Sequence, residues 1–188
     1  MNPDRRRFVT GAAGGVGTAA IQIAKAAGAK VIAAASSDEK CELCRQIGAD
    51  ATINYATQNL RDELKVLTEG KGPDVVYDPV GGDTFDRSTK CIAFEGRILV
   101  IGFTGGRFAE ARTNHALIKN YSVVGVHWGL YNTKQPERIR EIHGDLVDLH
   151  ARGAIRPLVH EVITLDEVPA ALTRLASRGT TGKVVWAR

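Results

Sequence analysis

The sequence predicts an α/β chain: a doubly wound, mostly parallel sheet of about six strands with helices on both faces, followed by a short α/β tail. Three observations carry this expectation. Short, almost continuously apolar segments alternate with amphipathic ones, as parallel strands covered on both faces require. A glycine-rich turn joins the first of these strands to the first helix. Glycines and polar residues then collect at the carboxyl ends of successive strands, the edge where open α/β sheets bind ligands.

Residues 7–35, RFVTGAAGGVGTAAIQIAKAAGAKVIAAA, organise the rest of the chain. Phe8 and Val9 run into Gly11, Gly14, Gly15 and Gly17, which allow a tight turn and close backbone approach. The helix that follows has its free N–H groups facing out of the turn, a site for a pyrophosphate that needs no side-chain charge. Residues 12–17, AAGGVG, are G-x-G-x-x-G with alanine in the first position. Read from Thr10, TGAAGGVG equally fits the T-G-x-x-x-G-x-G spacing of short-chain dehydrogenases. The strand–turn–helix context favours a dinucleotide site of Rossmann type; the alternative is a small-residue turn that merely packs helix to sheet. No Gly-Lys-Ser/Thr follows, which excludes a Walker loop.

The remaining elements follow in order. Residues 16–28 read as a helix laid against a sheet and ended by Gly28. Residues 30–35 form an apolar strand ending in Ser36-Ser37-Asp38-Glu39-Lys40. Hydroxyls plus an ammonium at this strand tip suit a ribose 2′-phosphate, so NADP(H) is favoured over NAD(H). Asp38 and Glu39 count against this, and Ser37 can also simply N-cap the next helix while Lys40 is solvated. That helix, residues 37–47, carries Cys41 and Cys44 as small core positions. A strand at 51–54 ends in Tyr55, whose ring can wall an adenine–ribose pocket or cap the core.

A helix at 57–68, a strand at 75–77, a helix at 83–94 and a strand at 96–101 continue the alternation. Polar and glycine residues at 78–82 and Gly102-Phe103 close the two strands. A short helix at 114–119 and a sixth strand at 121–126 complete the sheet. The tail reads as a helix at 136–152, a strand at 155–159, a helix at 165–177 and a strand at 183–186. These tail elements have no place in a completed six-stranded sheet and need another body to pack against.

Composition adds bounds. The 188 residues are 44% hydrophobic and 24% charged, with net charge +4, which is too mild and too dispersed for nucleic acid. Three cysteines make no disulfide framework, and a reducing, cytoplasmic compartment is expected. Arg5-Arg6-Arg7-Phe8 looks like a twin-arginine export signal, but the same residues complete the first strand. Gln22, Lys25 and Lys30 interrupt the longest apolar runs, so no membrane span is expected. The five histidines lack metal-ligand spacing and no H-E-x-x-H occurs; His127, at a strand's carboxyl end, is the one worth following.

Taken together, residues 9–31, 36–40, 43–55, 72–82, 97–103, 119–129 and 182–185 resemble the cofactor domain of the medium-chain dehydrogenase/reductase superfamily, in its zinc-independent quinone oxidoreductase branch. The resemblance implies NADPH as hydride donor and quinones or α,β-unsaturated carbonyl compounds as acceptors. By motif match, Gly14, Gly15, Val16 and Gly17 would hold the pyrophosphate, Ser36 and Lys40 the 2′-phosphate, and Tyr55 would stack near the adenosine. Val80, Gly81, Gly102 and Phe103 would border the nicotinamide, and Arg178 would stand near the cofactor's phosphates. The short-chain reading fails because no Tyr-x-x-x-Lys pair is present; Tyr131 and Lys134 are one residue too close.

Full-length members of the branch begin with a separate barrel-like catalytic domain, whereas this chain begins just before the first cofactor-domain strand. Residues 1–136 are therefore expected as the dinucleotide-binding unit and residues 137–188 as a tail that packs on that other domain. The resemblance also implies a homodimer across the strand at 121–126, whose unpaired edge permits it. Hydride transfer needs no protein nucleophile, and no catalytic residue is assigned. Two alternatives stand beside this reading: a cofactor-binding or assembly module without turnover, and a relative of enoyl-thioester reductases.

Overall fold

The computed structural model describes residues 5–188, so the first four residues of the expected 1–136 unit lie outside it. Six strands, β1 (Arg6–Val9), β2 (Lys30–Ala35), β3 (Ala51–Asn54), β4 (Val75–Asp78), β5 (Arg97–Val100) and β6 (Ser122–Gly125), form one sheet. Their order is β3-β2-β1-β4-β5-β6, and every pair is parallel. The order reverses between β1 and β4, which opens a crevice at the carboxyl ends of those two strands.

Side chains alternate strictly across this sheet. Val9, Val31, Ala33 and Ala35 enter one core with Ile21 and Ala24 of α1 (Gly15–Ala26) and with Cys41 and Cys44 of α2 (Asp38–Gln46). Phe8, Ile32, Ala34, Val76 and Ile98 enter the other, with Leu60 and Leu64 of α3 (Leu60–Leu67) and Phe85 of α4 (Gly82–Cys91). The period of two explains why these strands read as continuous apolar runs: both faces are buried. α5 (Thr113–Lys119) contributes Ala116 to the second core.

Local chemistry sets the boundaries. Ser37 caps α2, accepting the Lys40 N–H at 3.3 Å. Asn59 caps α3 through Arg61 and Asp62, so this helix starts later than the 57 read from the sequence. Gly28, at φ +75°, ends α1. The two cysteines are fully buried, and burial, reinforced by the neighbouring Cys41, pushes the Cys44 thiol up to about 12. They act as core residues.

Beyond β6 come α6 (Tyr131–Lys134) and α7 (Pro136–Ala151), then β7 (Val159–Ile163), α8 (Val168–Ala176) and β8 (Lys183–Trp186). β7 and β8 pair in parallel as a separate two-stranded sheet. The expected strand at 155–159 is corrected to Val159–Ile163. The Arg156 N–H is taken by the Gln22 side chain of α1 at 2.7 Å, and Pro157 has no N–H to offer a ladder.

The tail touches the sheet unit at the glycine-rich turn. Its last turn lies on the glycine-rich turn: the Gly182 N–H donates to the Ala13 carbonyl at 2.9 Å, and Gly14 and Gly182 pair as a bridge. Most of the tail's apolar residues stay exposed, including Val147, Val162, Leu172, Leu175 and Trp186.

Candidate functional site

The site is built on the segment from Thr10 to Thr18. Gly11 sits at φ +57°, turning the chain out of β1, and the N–H of Gly14 returns to the Gly11 carbonyl at 3.2 Å. Gly14 N-caps α1 without a side-chain hydrogen bond, and the first turn holds no acidic residue. Its leading N–H groups are therefore free for an anion, and a Cβ built on Gly14 would meet only the Gly11 carbonyl, at 3.5 Å.

The other glycines have steric duties. A Cβ on Gly17 would lie 2.6 Å from Ala12 Cα and closer still to the Gly11 carbonyl, so helix and turn can close only around hydrogen. One on Gly15 would lie 2.7 Å from Lys183 Cδ and Cε, since the tail presses on the helix there. Val16 is exposed beside them.

At the tip of β2, the two carboxylates that counted against a phosphate each accept a hydrogen bond. Asp38 accepts from the Asn54 amide at 2.8 Å, and Glu39 accepts from the Ser37 hydroxyl at 3.2 Å. The Lys40 ammonium donates to the Arg178 carbonyl at 2.6 Å, which brings a residue 138 positions away to the same corner. Arg178 holds a left-handed backbone, φ +60°, and its guanidinium forms no ion pair among the described residues. Ser36, half-buried, completes this group.

A cleft of about 320 Å³ opens over the switch point, with Thr10, Gly11, Ala34, Tyr55, Val80 and Thr84 among its walls. Tyr55 is exposed and bounds this cleft rather than capping the core. Val80 reaches across to Gly11: a Cβ there would be 3.3 Å from Val80 Cγ2. Farther along, Gly81, at φ +73°, lies under Phe103, whose Cδ1 would be 2.8 Å from an added Cβ. Phe103 in turn meets Phe108 edge-on, with centroids 4.9 Å apart. Gly102 packs on Pro79.

The residues thus fall into two groups. One holds Gly14, Gly15, Val16, Gly17, Ser36, Lys40, Tyr55 and Arg178. The other holds Val80, Gly81, Gly102 and Phe103. They join over the β1–β4 crevice.

Two positioning residues escaped the sequence reading. Asp78, 1% exposed, accepts from the Thr10 hydroxyl at 2.8 Å and from the N–H groups of Val80 and Gly81 at 2.9 and 3.1 Å. It clamps the turn after β4 to the turn after β1. Arg107 ion-pairs with Asp83 and Asp86 of α4 and so holds the loop from Gly102 to Arg107 over Gly81. The hydrogen bonds to these two carboxylates raise its pKa further. An Asp at the head of Asp-Pro-Val-Gly is a local turn signal that could have identified Asp78; Arg107 carries no such local mark. His127 is exposed, and its imidazole makes no hydrogen bond among the described residues. His143 and His150 instead line an apolar groove of about 450 Å³ between α1 and the tail.

Among the described residues, no three His, Cys, Asp or Glu side chains gather to hold a metal ion, and no helix is long and apolar enough to cross a membrane.

A family model described as zinc-binding dehydrogenase matches residues 15–145. The quinone oxidoreductase-like protein 2 of Bos taurus is 40% identical over 184 residues, covering 97% of this chain and 53% of that protein. Its homologue from Nematostella vectensis is 38% identical, covering 98% and 51%. The crystal structure of Escherichia coli quinone oxidoreductase complexed with NADPH superimposes at a TM-score of 0.91, with 32% identity, over 100% of this chain and 58% of that one. The chain spans about half the length of the curated relatives it matches.

Proposed function

The chain belongs to the medium-chain dehydrogenase/reductase superfamily, in its zinc-independent, quinone oxidoreductase-like branch, and on that premise we propose that it binds NADPH and serves an oxidoreductase acting on a quinone or an α,β-unsaturated carbonyl compound. One observation supports the cofactor choice: at the tip of β2, beside Ser36, the Lys40 ammonium donates to the Arg178 carbonyl, which brings a second basic residue to the same corner. A free ribose hydroxyl has no use for that charge; a 2′-phosphate does.

In this reading the uncapped start of α1, through Gly14, Gly15, Val16 and Gly17, receives the pyrophosphate. Ser36, Lys40 and Arg178 take the 2′-phosphate, and Tyr55 lies along the adenosine. Val80, Gly81, Gly102 and Phe103 border the nicotinamide, with Asp78 and Arg107 fixing the two loops that present them. When bound, NADPH supplies a hydride. The chain's own contribution is orientation and exclusion of water, and none of its side chains is assigned as acid, base or nucleophile.

Residues 1–136 form the cofactor-binding unit of this proposal. Residues 137–188 form a tail whose exposed apolar face awaits a further surface. The protein is proposed to be cytoplasmic, to act on a small molecule rather than nucleic acid or membrane, and to pair as a homodimer along β6. Every residue of that edge strand is exposed, and its outer side has no strand partner in the sheet.

Calorimetric titration with NADPH and NADH, with quinone reduction followed on the same sample, tests the reading. Tighter binding of NADPH with turnover supports it in full. Binding without turnover leaves a cofactor module. Reduction of an enoyl thioester but not a quinone moves the substrate class. Failure to bind either nucleotide rejects it.

A further inference from the structure

Positive charge that is dispersed along the sequence is gathered by the fold at the amino ends of β4, β5 and β6, opposite the crevice. A pocket of about 430 Å³ lies there among α3, α4 and α5. Five of its walls are cations: Arg61 and Lys65 of α3, Lys71 of the loop that follows, Lys90 of α4 and Lys119 of α5. Phe94 and Ile118, both strongly exposed, add apolar surface. Asp62, Glu69 and Glu95 adjoin wall residues in sequence, but no carboxylate is among the walls. Of the five cations, Lys71 alone forms an ion pair among the described residues, with Glu69 at 3.7 Å.

Helix electrostatics account for part of this set. Lys65, Lys90 and Lys119 are the basic residues in the last turns of their helices, where the macrodipole favours a cation. The Lys119 ammonium also donates to the Lys90 carbonyl at 2.6 Å and the Thr89 carbonyl at 3.3 Å, which uses two of its three N–H bonds. Burial, reinforced by the neighbouring Arg61, holds it below the usual lysine range. Arg61 has no such local reason. It stands in the first turn of α3, where Asp62 and Glu63 suit the dipole and a cation does not. It is also one turn from Lys65, a like-charge pair at i and i+4 that works against the helix. Cys91, another wall residue, supplies no counter-charge, because burial pushes its thiol up and keeps it neutral.

Cations lining one pocket with so little opposing charge match a group that carries more than one negative charge. The volume and the apolar walls suit more than a bare ion. We propose that this pocket binds a small molecule carrying a phosphate on an apolar or aromatic body. The phosphate is held by Arg61 and Lys65 with Lys90 and Lys119, and the body lies against Phe94 and Ile118. The site stands apart from the proposed cofactor crevice, which opens at the other ends of the strands, and does not depend on it.

Phenyl phosphate, titrated into the isotope-labelled intact chain and followed by NMR, tests this. Amides of residues 61–72, 90–94 and 118–119 are expected to shift together and to saturate, at lower concentration than with inorganic phosphate, while phenol leaves them in place. Arg61→Gln combined with Lys65→Gln, both at exposed positions, should weaken this binding about fivefold or more and leave any response at residues 11–17 unchanged. Lys134→Gln combined with Arg140→Gln removes the same charge from exposed positions outside the pocket and should leave the binding as it was. Equal weakening by the two pairs reduces the effect to net charge and overturns the site. Absence of saturable shifts at these amides overturns it as well, and inorganic phosphate binding as tightly as phenyl phosphate overturns the apolar body. Phosphatidic acid vesicles separate the two sources of such a phosphate. Sedimentation with them that the Arg61 and Lys65 substitutions abolish assigns a lipid headgroup, and absence of sedimentation assigns a soluble molecule.

Discussion

The six-stranded sheet and the tail use similar elements and achieve different things with them. Each central strand of the sheet buries side chains on both faces, and its helices plant Ile21, Cys44, Leu64 and Phe85 into two closed cores. The tail has a helix of sixteen residues, α7, with none buried, and a two-stranded sheet that is mostly exposed. Its fixed points on the sheet are polar or main-chain contacts: Arg156 to Gln22, Gly182 to Ala13, Lys40 to Arg178. The first region is held by burial, the second by directed hydrogen bonds at one rim. Two of these contacts, at Ala13 and at Lys40, border the candidate site.

The contrast can be broken most sharply by truncating one side chain in each region. Ile21→Ala, at a fully buried position, should cost about 3–4 kcal/mol in urea unfolding, whereas Val147→Ala, at 52% exposure, should stay within about 0.5 kcal/mol. A cost above about 1.5 kcal/mol for Val147→Ala would mean that the groove beside α1 is covered in solution. Next comes Gly17→Ala, which drives a methyl into the backbone of residues 11 and 12. About 3 kcal/mol of destabilisation is expected, with nucleotide binding lost in calorimetry even where the chain remains folded. Binding that survives would show that α1 does not present the phosphate seat.

Asp78→Ala follows. It leaves the N–H groups of Val80 and Gly81 and the Thr10 hydroxyl without their acceptor, at about 2 kcal/mol, and should weaken nucleotide binding by loosening the loops at the crevice. Asp78→Asn, which keeps one acceptor oxygen, should recover part of both.

The smallest effect expected is on the acid limb of stability. Burial pushes the Asp50 carboxyl up, but the Lys25 ammonium at 2.7 Å and the Val31 N–H at 2.6 Å outweigh it and bring it below the usual range. A depressed folded value means this stabilisation is fully present above the ordinary carboxylate pKa of about 4 and is lost as pH falls through the folded value. Asp50→Asn should lower stability at pH 7 by the small amount a half-exposed, screened pair contributes and flatten the loss in acid unfolding curves by the same amount. An unchanged acid limb would remove this pair from the account.

Much of this was legible in order along the chain, because it depends on short-range patterning. Apolar runs at 30–35 and 75–77, glycines at 11–17 and a serine cap at 37 specify strands, turn and helix start within a few residues of themselves, and an open parallel sheet follows from their alternation. Two boundaries slipped where a local competitor won: Asn59 capped α3 late, and Pro157 with the Gln22 contact moved β7 forward. The glycines, Ser36 and Lys40 of the candidate site could be picked out in the sequence for the same reason.

What the sequence by itself determined was the sheet, its covered faces and the anion-receptive start of α1, since period, size and backbone freedom are local properties. Tertiary structure alone decided the rest. It turned Asp38 toward Asn54 of the neighbouring strand. It brought Arg178 to Lys40 across 138 residues, and joined Asp78 to Thr10 across 68. Nothing in a residue's neighbours along the chain encodes which carboxylate is occupied or which cation lies across a seam; those follow only once the chain has closed and each polar group has found its partner.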